Sequence, residues 1–419
     1  MKKPRIAVVS FPGNNCEYES LRAIAQSDME PLYFRWNDDR AKLRDADGYF
    51  LVGGFSYEDR GRSGMVAARD PLMDFIGREA EEGKVVIGNC NGAQVLVESG
   101  MVPLDNGLRM SLARNAVKAD GGFTSPGFLS EWVWMTPTCA KDRCATSGWG
   151  GAMHLPIAHA EGRFVTADKD VMAELKKNNQ LAFSYCDAQG HSSEEVAITP
   201  NGSQFGAAGI CNPAGNVIAL MPHPERTPNG KPYFDSMRMW IEAKRGPLSR
   251  VHHASSADAK MELLTQVPGG VEIFIDTVIV NNEERTVEQT AKKFAPHLRL
   301  KQWKYFRGHD VKPQDILSDL SVYNPNKERA FVRRGGVLYR WNNAAKGEER
   351  LTDDVRSHVL TGSLLLRRDR PDTGAGGLGK NGMSGVCYGL EGVGEHDLTS
   401  RKLLEVFCNP HAGELMLLA

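Results

Sequence analysis

Short apolar runs alternate with stretches of helical spacing through the first 245 residues. Arg5–Ser10 (RIAVVS), Gly48–Val52 (GYFLV), Lys84–Gly88 (KVVIG) and Asn216–Met221 (NVIALM) lack the polar alternation of a half-exposed strand, so they predict strands buried on both faces. Glu17–Gln26, Pro71–Glu82, Gln94–Ser99 and Phe234–Lys244 have helical spacing, and Gly100 is placed to cap the third. Such alternation predicts an α/β fold, a mainly parallel sheet with helices on both faces and sites at the carboxyl ends of its strands. Residues 246–268 (beginning GPLSRVHHASSADAK) are small, polar and irregular, the composition of a linker. Patterning resumes with strands at Val271–Val280, Leu298–Phe306 and Ala330–Val332, and helices at Glu283–Phe294 and Pro313–Leu320. The expected division is 1–245, a linker at 246–268, and smaller α+β units at 269–335 and 336–419.

The two smaller units share a weak repeat. HDVKPQDILSDLSVYNPNKERAFV begins at His309 and HDLTSRKLLEVFCNPHAGELMLL at His396. Both read His-Asp, an amphipathic helix, Asn-Pro, then a strand; tandem duplication and a turn grammar shared by chance both produce this pattern. Between them, residues 374–381 (GAGGLGKN) approach a phosphate-binding loop, but Asn381 replaces the magnesium-binding hydroxyl. A flexible loop is the expectation there, and no nucleotide site is assigned.

Composition narrows the classes. At 419 residues, 41% hydrophobic and 25% charged, the chain has the makeup of a globular protein of two or three domains. Fifty-one basic residues against 52 acidic ones remove the usual electrostatic reason to expect nucleic acid or an anionic membrane as partner. There is no apolar run of about 18 residues, and the opening MKKPRIAVVSFPGNN is too short for a signal peptide. A cytoplasmic location is expected. The eight cysteines form no CxxC pair, and Cys139 and Cys144 have no second pair or nearby His to complete a zinc site, so no metal is expected.

One cysteine stands apart by its surroundings. Gly88-Asn89-Cys90-Asn91-Gly92 sits where a buried strand meets a helix, the G-x-nucleophile-x-G pattern of a tight, strained turn that exposes a nucleophile. A helix amino terminus favours negative charge there, and the Asn91 amide would point towards a developing oxyanion. A buried cysteine in a tight turn is the alternative for this motif alone. Met221-Pro222-His223-Pro224-Glu225-Arg226 also follows a strand, with His223 and Glu225 two apart and hence on one side. Glu225 can then orient the imidazole, and His223 can act as base towards Cys90 and acid towards a leaving amine. Gly53-Gly54 after a third strand lets backbone amides approach a ligand as a second oxyanion donor; a plain turn is the alternative.

Together, FPGNNCE (11–17), GGFSYED (53–59), GNCNGAQVL (88–96), PIAHAEGRF (156–164), NNQLAFSY (178–185) and MPHPER (221–226) resemble the class I, or triad, glutamine amidotransferases. In detail they are similar to the PurQ glutaminase subunits of phosphoribosylformylglycinamidine synthase, over about residues 4–245. The resemblance implies Cys90 as nucleophile, His223 and Glu225 completing the triad, Gly53 or Gly54 with Asn91 as oxyanion hole, and Gln94 and Ser56 as contacts to glutamine. It implies glutamine as substrate and a PurL-like synthetase subunit as partner, with ATP and magnesium on that partner and no cofactor here. The chain departs from the family at Glu58-Asp59-Arg60-Gly61-Arg62, where Gly-Asp is common, and follows it loosely over Arg114–Trp134. The C-terminal units resemble PurS, the small subunit of the same enzyme, which works as a dimer bridging glutaminase and synthetase. A stand-alone cysteine amidase or peptidase of related fold, and a non-catalytic bridging subunit, remain as alternatives.

Overall fold

The buried runs become the interior strands of a large sheet, and the helical stretches cover it. The computed structural model describes residues 2–104, 107–119, 121–245, 263–266, 270–309, 311–351, 359–375, 378 and 382–418. Its internal contacts divide the chain into two units, Met1–Ala259 and Lys260–Ala419. The first runs β1 (Arg5–Ser10), α1 (Glu17–Gln26), β2 (Glu30–Arg35), β3 (Gly48–Leu51), α2 (Pro71–Glu81), β4 (Val85–Asn89), α3 (Asn91–Glu98), β5 (Ser111–Arg114), β6 (Val117–Ala119) and β7 (Gly122–Thr124). It continues through β8 (Leu129–Pro137), β9 (Met153–His159), β10 (Glu161–Val165), α4 (Val171–Lys177), β11 (Leu181–Cys186), β12 (Ala207–Cys211), β13 (Val217–Leu220) and α5 (Lys231–Glu242).

Nine of these strands form one sheet in the order β2-β1-β3-β4-β13-β12-β11-β8-β9. Neighbours from β2 to β13 are parallel; β1, β3, β4 and β13 are the predicted apolar runs, whereas the edge strand β2, buried only at Phe34, was not expected. Neighbours from β13 to β9 are antiparallel, so the sheet is mixed. The outer strands of the antiparallel half lack continuous apolar runs because they are covered less completely, whereas β11 and β12 are buried throughout. Along β9 the burial alternates between buried and half-buried, and much of β8 is exposed. Helix α2 begins where its chemistry says, with the Asp70 carboxylate accepting from the Leu72 N–H and Pro71 opening the first turn. Helix α3 starts at Asn91, three residues before the expected Gln94. All of its residues are buried, so no polar face marks its first turn.

The second unit runs β14 (Leu263–Gln266), β15 (Val271–Thr277), α6 (Asn282–Ala291), β16 (Arg299–Gly308), α7 (Pro313–Leu317), β17 (Glu328–Arg334), β18 (Val337–Asn342), β19 (Gly347–Arg350), β20 (Ser363–Asp369), β21 (Met383–Glu391), α8 (Arg401–Phe407) and β22 (Gly413–Leu418). Leu263–Gln266, inside the expected linker, is a strand that pairs with β22; residues 246–262 and 267–268 of that linker lie outside the described residues. Strand β15 stops at Thr277 rather than Val280, and Val278, Ile279 and Val280 are exposed. Helix α7 stops at Leu317 rather than Leu320. Of the glycine-rich stretch, residues 376–377 and 379–381, with Lys380 and Asn381 among them, lie outside the described residues.

This unit is built on one sheet, β14-β22-β20-β21-β16-β15-β17-β18-β19. Its middle reads the same from either side of the antiparallel β16·β21 ladder. On one side β16 pairs with β15 and β15 with β17; on the other β21 pairs with β20 and β20 with β22, all antiparallel. The two Asn-Pro turns match in detail. Asn324 Oδ1 accepts from the Asn326 N–H, and Asn409 Oδ1 from the His411 N–H. Each asparagine carbonyl then accepts from the amides three and four residues on, Lys327 and Glu328 in one turn, Ala412 and Gly413 in the other. Among the described residues, helix α6 has no counterpart between β20 and β21.

Alternate residues of β15 serve opposite faces of this sheet. Val271, Ile273 and Ile275 join one apolar cluster, and Phe274 joins another with Trp303 and Tyr305. Glu272 lies buried on the second face, where Arg333 grips it in two hydrogen bonds of 2.6 and 2.8 Å and the Tyr305 hydroxyl donates to it at 2.8 Å. Removing one partner strands a buried charge, whereas removing both does not. Arg333→Ala is therefore expected to destabilise this unit by about 3 kcal/mol, read from urea unfolding of the full chain. The double variant Glu272→Leu, Arg333→Leu should lose less than the single one.

Candidate active site

Register brings the two sequence motifs together. Strands β4 and β13 are parallel neighbours with Asn89 opposite Leu220, so the chain leaves both at the same end of the sheet. The Cys90 N–H donates to the Leu220 carbonyl at 2.7 Å, tying the elbow to the strand that delivers His223. Cys90 adopts φ 50° and ψ −108°, a region that non-glycine residues occupy only under constraint. The flanking glycines explain how the constraint is met. A Cβ on Gly88 would lie 2.4 Å from the Gly92 carbonyl oxygen, and one on Gly92 would lie 2.0 Å from that of Leu51. No side chain fits at either position. The Cys90 thiol points at the Ala158 carbonyl, 3.6 Å away.

His223 and Glu225 are both buried, and His223 Nδ1 lies 2.5 Å from Glu225 Oε1. The other carboxylate oxygen accepts from Asn89 Nδ2 at 2.9 Å. Asn89 Oδ1 in turn faces the Tyr233 hydroxyl at 3.4 Å. The His223 backbone N–H donates to the Pro156 carbonyl at 2.9 Å; with ring Nδ1 on Glu225, Nε2 is buried with no hydrogen-bond partner among the described residues. Burial alone would push the His223 pKa down. The Glu225 carboxylate and the Cys90 sulfur outweigh it and hold the ring well above its ordinary value. Burial likewise opposes the charge on Glu225, but His223 and Asn89 keep its pKa low. His159, at the end of β9, is pushed the other way, to about 3, by burial and by neighbouring His223.

The oxyanion and substrate candidates meet around Asn91. Its Oδ1 accepts from the Ser56 N–H at 3.0 Å and Asn14 Nδ2 at 3.2 Å. Its Nδ2 donates to Gln94 Oε1 at 2.9 Å and Asp59 Oδ1 at 3.2 Å. One side chain thus joins the 11–17 loop, the 53–59 loop and the first turn of α3. The Asn91 N–H belongs to that first turn, where helix amides have no acceptor of their own. Gly54 has φ 132°, and a Cβ there would lie 2.6 Å from Asn14 Cα and Asn15 N. Gly53 lies against the imidazole, since a Cβ on it would come 2.9 Å from His223 Cε1. Gln94 spends its amide on Asn91 and the Glu161 carbonyl, whereas the Ser56 hydroxyl is buried with no partner among the described residues.

Three contributors were not singled out in the sequence. Asn89 holds Glu225 from the unspecified position of the elbow motif. Asp59 lies beside Asn91, and burial and the nearby Glu161 raise its pKa to about 7. Cys16 lies against His223, and only its place in the FPGNNCE block hinted at it. The departure at 58–62 is accommodated locally. Tyr57, Glu58 and Asp59 all take positive φ, and Arg62 grips Glu98 at the far end of α3 through bonds of 2.9 and 2.6 Å.

A family model described as a CobB/CobQ-like glutamine amidotransferase domain matches residues 3–243. The phosphoribosylformylglycinamidine synthase subunit PurQ of Methanothrix thermoacetophila is 41% identical over 260 residues, covering 58% of this chain and 99% of that protein. The PurQ subunit of Pyrococcus furiosus is 33% identical over 247 residues, covering 57% and 99%. A chain of the solved PurLQS structure from Thermotoga maritima aligns at 30% identity with a TM-score of 0.45, covering 57% of this chain and 99% of that one. With the glutamine amidotransferase model matching more than half of its length and near-complete PurQ subunits aligning to its N-terminal part, the chain belongs to the PurQ family of glutamine amidotransferases.

Proposed function

We propose that this chain is the glutaminase component of phosphoribosylformylglycinamidine synthase and supplies ammonia to a PurL-like synthetase subunit. There the ammonia converts formylglycinamide ribonucleotide to the amidine in purine biosynthesis, with ATP and magnesium bound on that partner. The observation that carries this reading is a charged His223–Glu225 pair joined by backbone register to a strained Cys90 elbow, in a chain of the PurQ family.

In this reading the Cys90 sulfur attacks the side-chain carbonyl carbon of glutamine, forming a C–S bond while the carbonyl pair moves to oxygen. Backbone N–H groups of Gly54 (or Gly53) and Asn91 receive the oxyanion, and Ser56, with its unpartnered hydroxyl, and Gln94 hold the amino-acid end. His223 then passes its proton to the amide nitrogen, the C–N bond breaks, and ammonia leaves. Neutral His223 next takes a proton from water as it attacks the thioester. The C–S bond then breaks, glutamate departs, and the sulfur returns to its starting state beside the recharged imidazolium. Glu225 stays ionised throughout and steadies the imidazolium.

The mirror order of strands about β16·β21 and the matched Asn-Pro turns support reading the C-terminal unit as a fused, tandem PurS-like pair. Among the described residues no helix is long and apolar enough to cross a membrane. A cytoplasmic site of action is part of the same proposal.

Cys90→Ala should abolish glutamine-dependent amidine formation in the assembled enzyme while sparing formation from added ammonia; loss of both would assign Cys90 a structural role. Glu225→Gln removes the main influence that raises the His223 pKa. Glutamate release should fall by about a hundredfold, and its alkaline limb should move to lower pH, because the imidazolium then loses its proton sooner. If the C-terminal unit is a fused pair, mixing this chain with a PurL-type synthetase alone should yield glutamine-dependent activity, and a requirement for a separate small subunit would contradict it.

A further inference from the structure

Cys16 is a second sulfur at the triad, and the mechanism above leaves it idle. It opens α1 and is fully buried. Arg226 Nη2 donates to its sulfur at 3.2 Å, and its thiol faces Asn15 Oδ1 at 3.4 Å. The Cys16 sulfur, a ring nitrogen of His223 and a carboxylate oxygen of Glu225 all lie within 4.8 Å of one another. A Cβ on Gly53 would come 2.9 Å from His223 Cε1 and 3.1 Å from Cys16 Sγ, so both side chains close on the same stretch of backbone. Such a trio has the makeup of ligands for a thiophilic cation. Here the Arg226 guanidinium already brings positive charge to the sulfur. Arg226 also belongs to the turn that carries the imidazole, its N–H donating to the His223 carbonyl at 3.2 Å.

We propose that Cys16, held by Arg226, is a positioning residue that fixes the setting of the His223 ring beside Cys90. This deepens the glutaminase reading and rests on it. The groups facing His223 are Glu225 and Arg226 from its own turn, Cys90 from the start of α3, Cys16 from the start of α1 and His159 from β9. Glu225, Cys90 and Cys16 favour the charged ring, while burial disfavours it; His159, held to about 3, is neutral beside it. Removing the sulfur should therefore shrink the pH range over which the ring stays charged, from the alkaline side.

The test uses the full chain and two readouts. One is the pH profile of Cys90 alkylation by iodoacetamide, followed by mass spectrometry of the Cys90 peptide. The other is glutamate release in the presence of a synthetase subunit. Cys16→Ala should slow Cys90 alkylation at neutral pH by about tenfold and shift the alkaline limb of glutamate release to lower pH, with KM within about twofold. Cys16→Ser, which keeps a polar atom of similar reach, should restore most of both. Arg226→Met, which frees the sulfur without opening a cavity at it, should slow Cys90 alkylation by less than Cys16→Ala does. An unchanged Cys90 profile in Cys16→Ala or Arg226→Met overturns the proposal, as does equal loss in the Ala and Ser variants with no pH shift. Absence of glutamate release from the wild type would overturn the glutaminase reading instead, and the alkylation profile would still decide the role of Cys16.

Discussion

A single buried carboxylate organises the N-terminal unit. Glu225 is 3% exposed and keeps its charge only because His223 and Asn89 both face it. An unpartnered charge at that depth would be untenable, so the strand ends that carry its partners must arrive together. Asn89 closes β4, and His223 follows β13. These strands are parallel neighbours held in one register, and a slip by a residue would turn the ends of both away from each other. The sheet order and the site geometry are thus two consequences of one electrostatic requirement.

The elbow adds a steric requirement. Cys90 holds a backbone conformation that alone would relax, and the surroundings prevent it. Its N–H is fixed to Leu220, and Gly92 is pressed onto the Leu51 carbonyl, so three adjacent strands define one turn. Asn91 continues the same logic outward, its four hydrogen bonds joining two loops to α3. Polar groups packed this densely are stable only when satisfied. Among the described residues, His223 Nε2 and the Ser56 hydroxyl are two of the buried polar atoms without a partner, and both belong to residues expected to meet glutamine or its reaction.

The C-terminal unit solves a different problem with local means. Its two Asn-Pro turns repeat the same hydrogen bonds, and its central strands repeat the same pairing about β16·β21. Among the described residues, buried Glu272 is matched by Arg333, and buried Asp276 by Arg329 and Lys301. Helix α6 lies between β15 and β16, whereas the described residues between β20 and β21 include no α-helix.

What was legible in the sequence is what depends on short-range chemistry. The parallel strands β1, β3, β4 and β13 could be read because burial on both faces demands continuous apolar runs; the edge strand β2, mostly unburied, could not. Cys90, His223, Glu225 and the glycines beside them could be read because a strained turn and a paired imidazole require those residue types at those spacings. The outer antiparallel strands β8 and β9 could not, since partial exposure dilutes their pattern, while the buried β11 and β12 are interrupted by Ser184 and Gly209. The early start of α3 was hidden because a wholly buried helix has no polar face. Asn89, Asp59 and Cys16 act through partners such as Glu225, Glu161 and Arg226, which lie far from them in sequence. Which polar groups face one another across such distances is decided by strand order and register, and these exist only once the chain has folded.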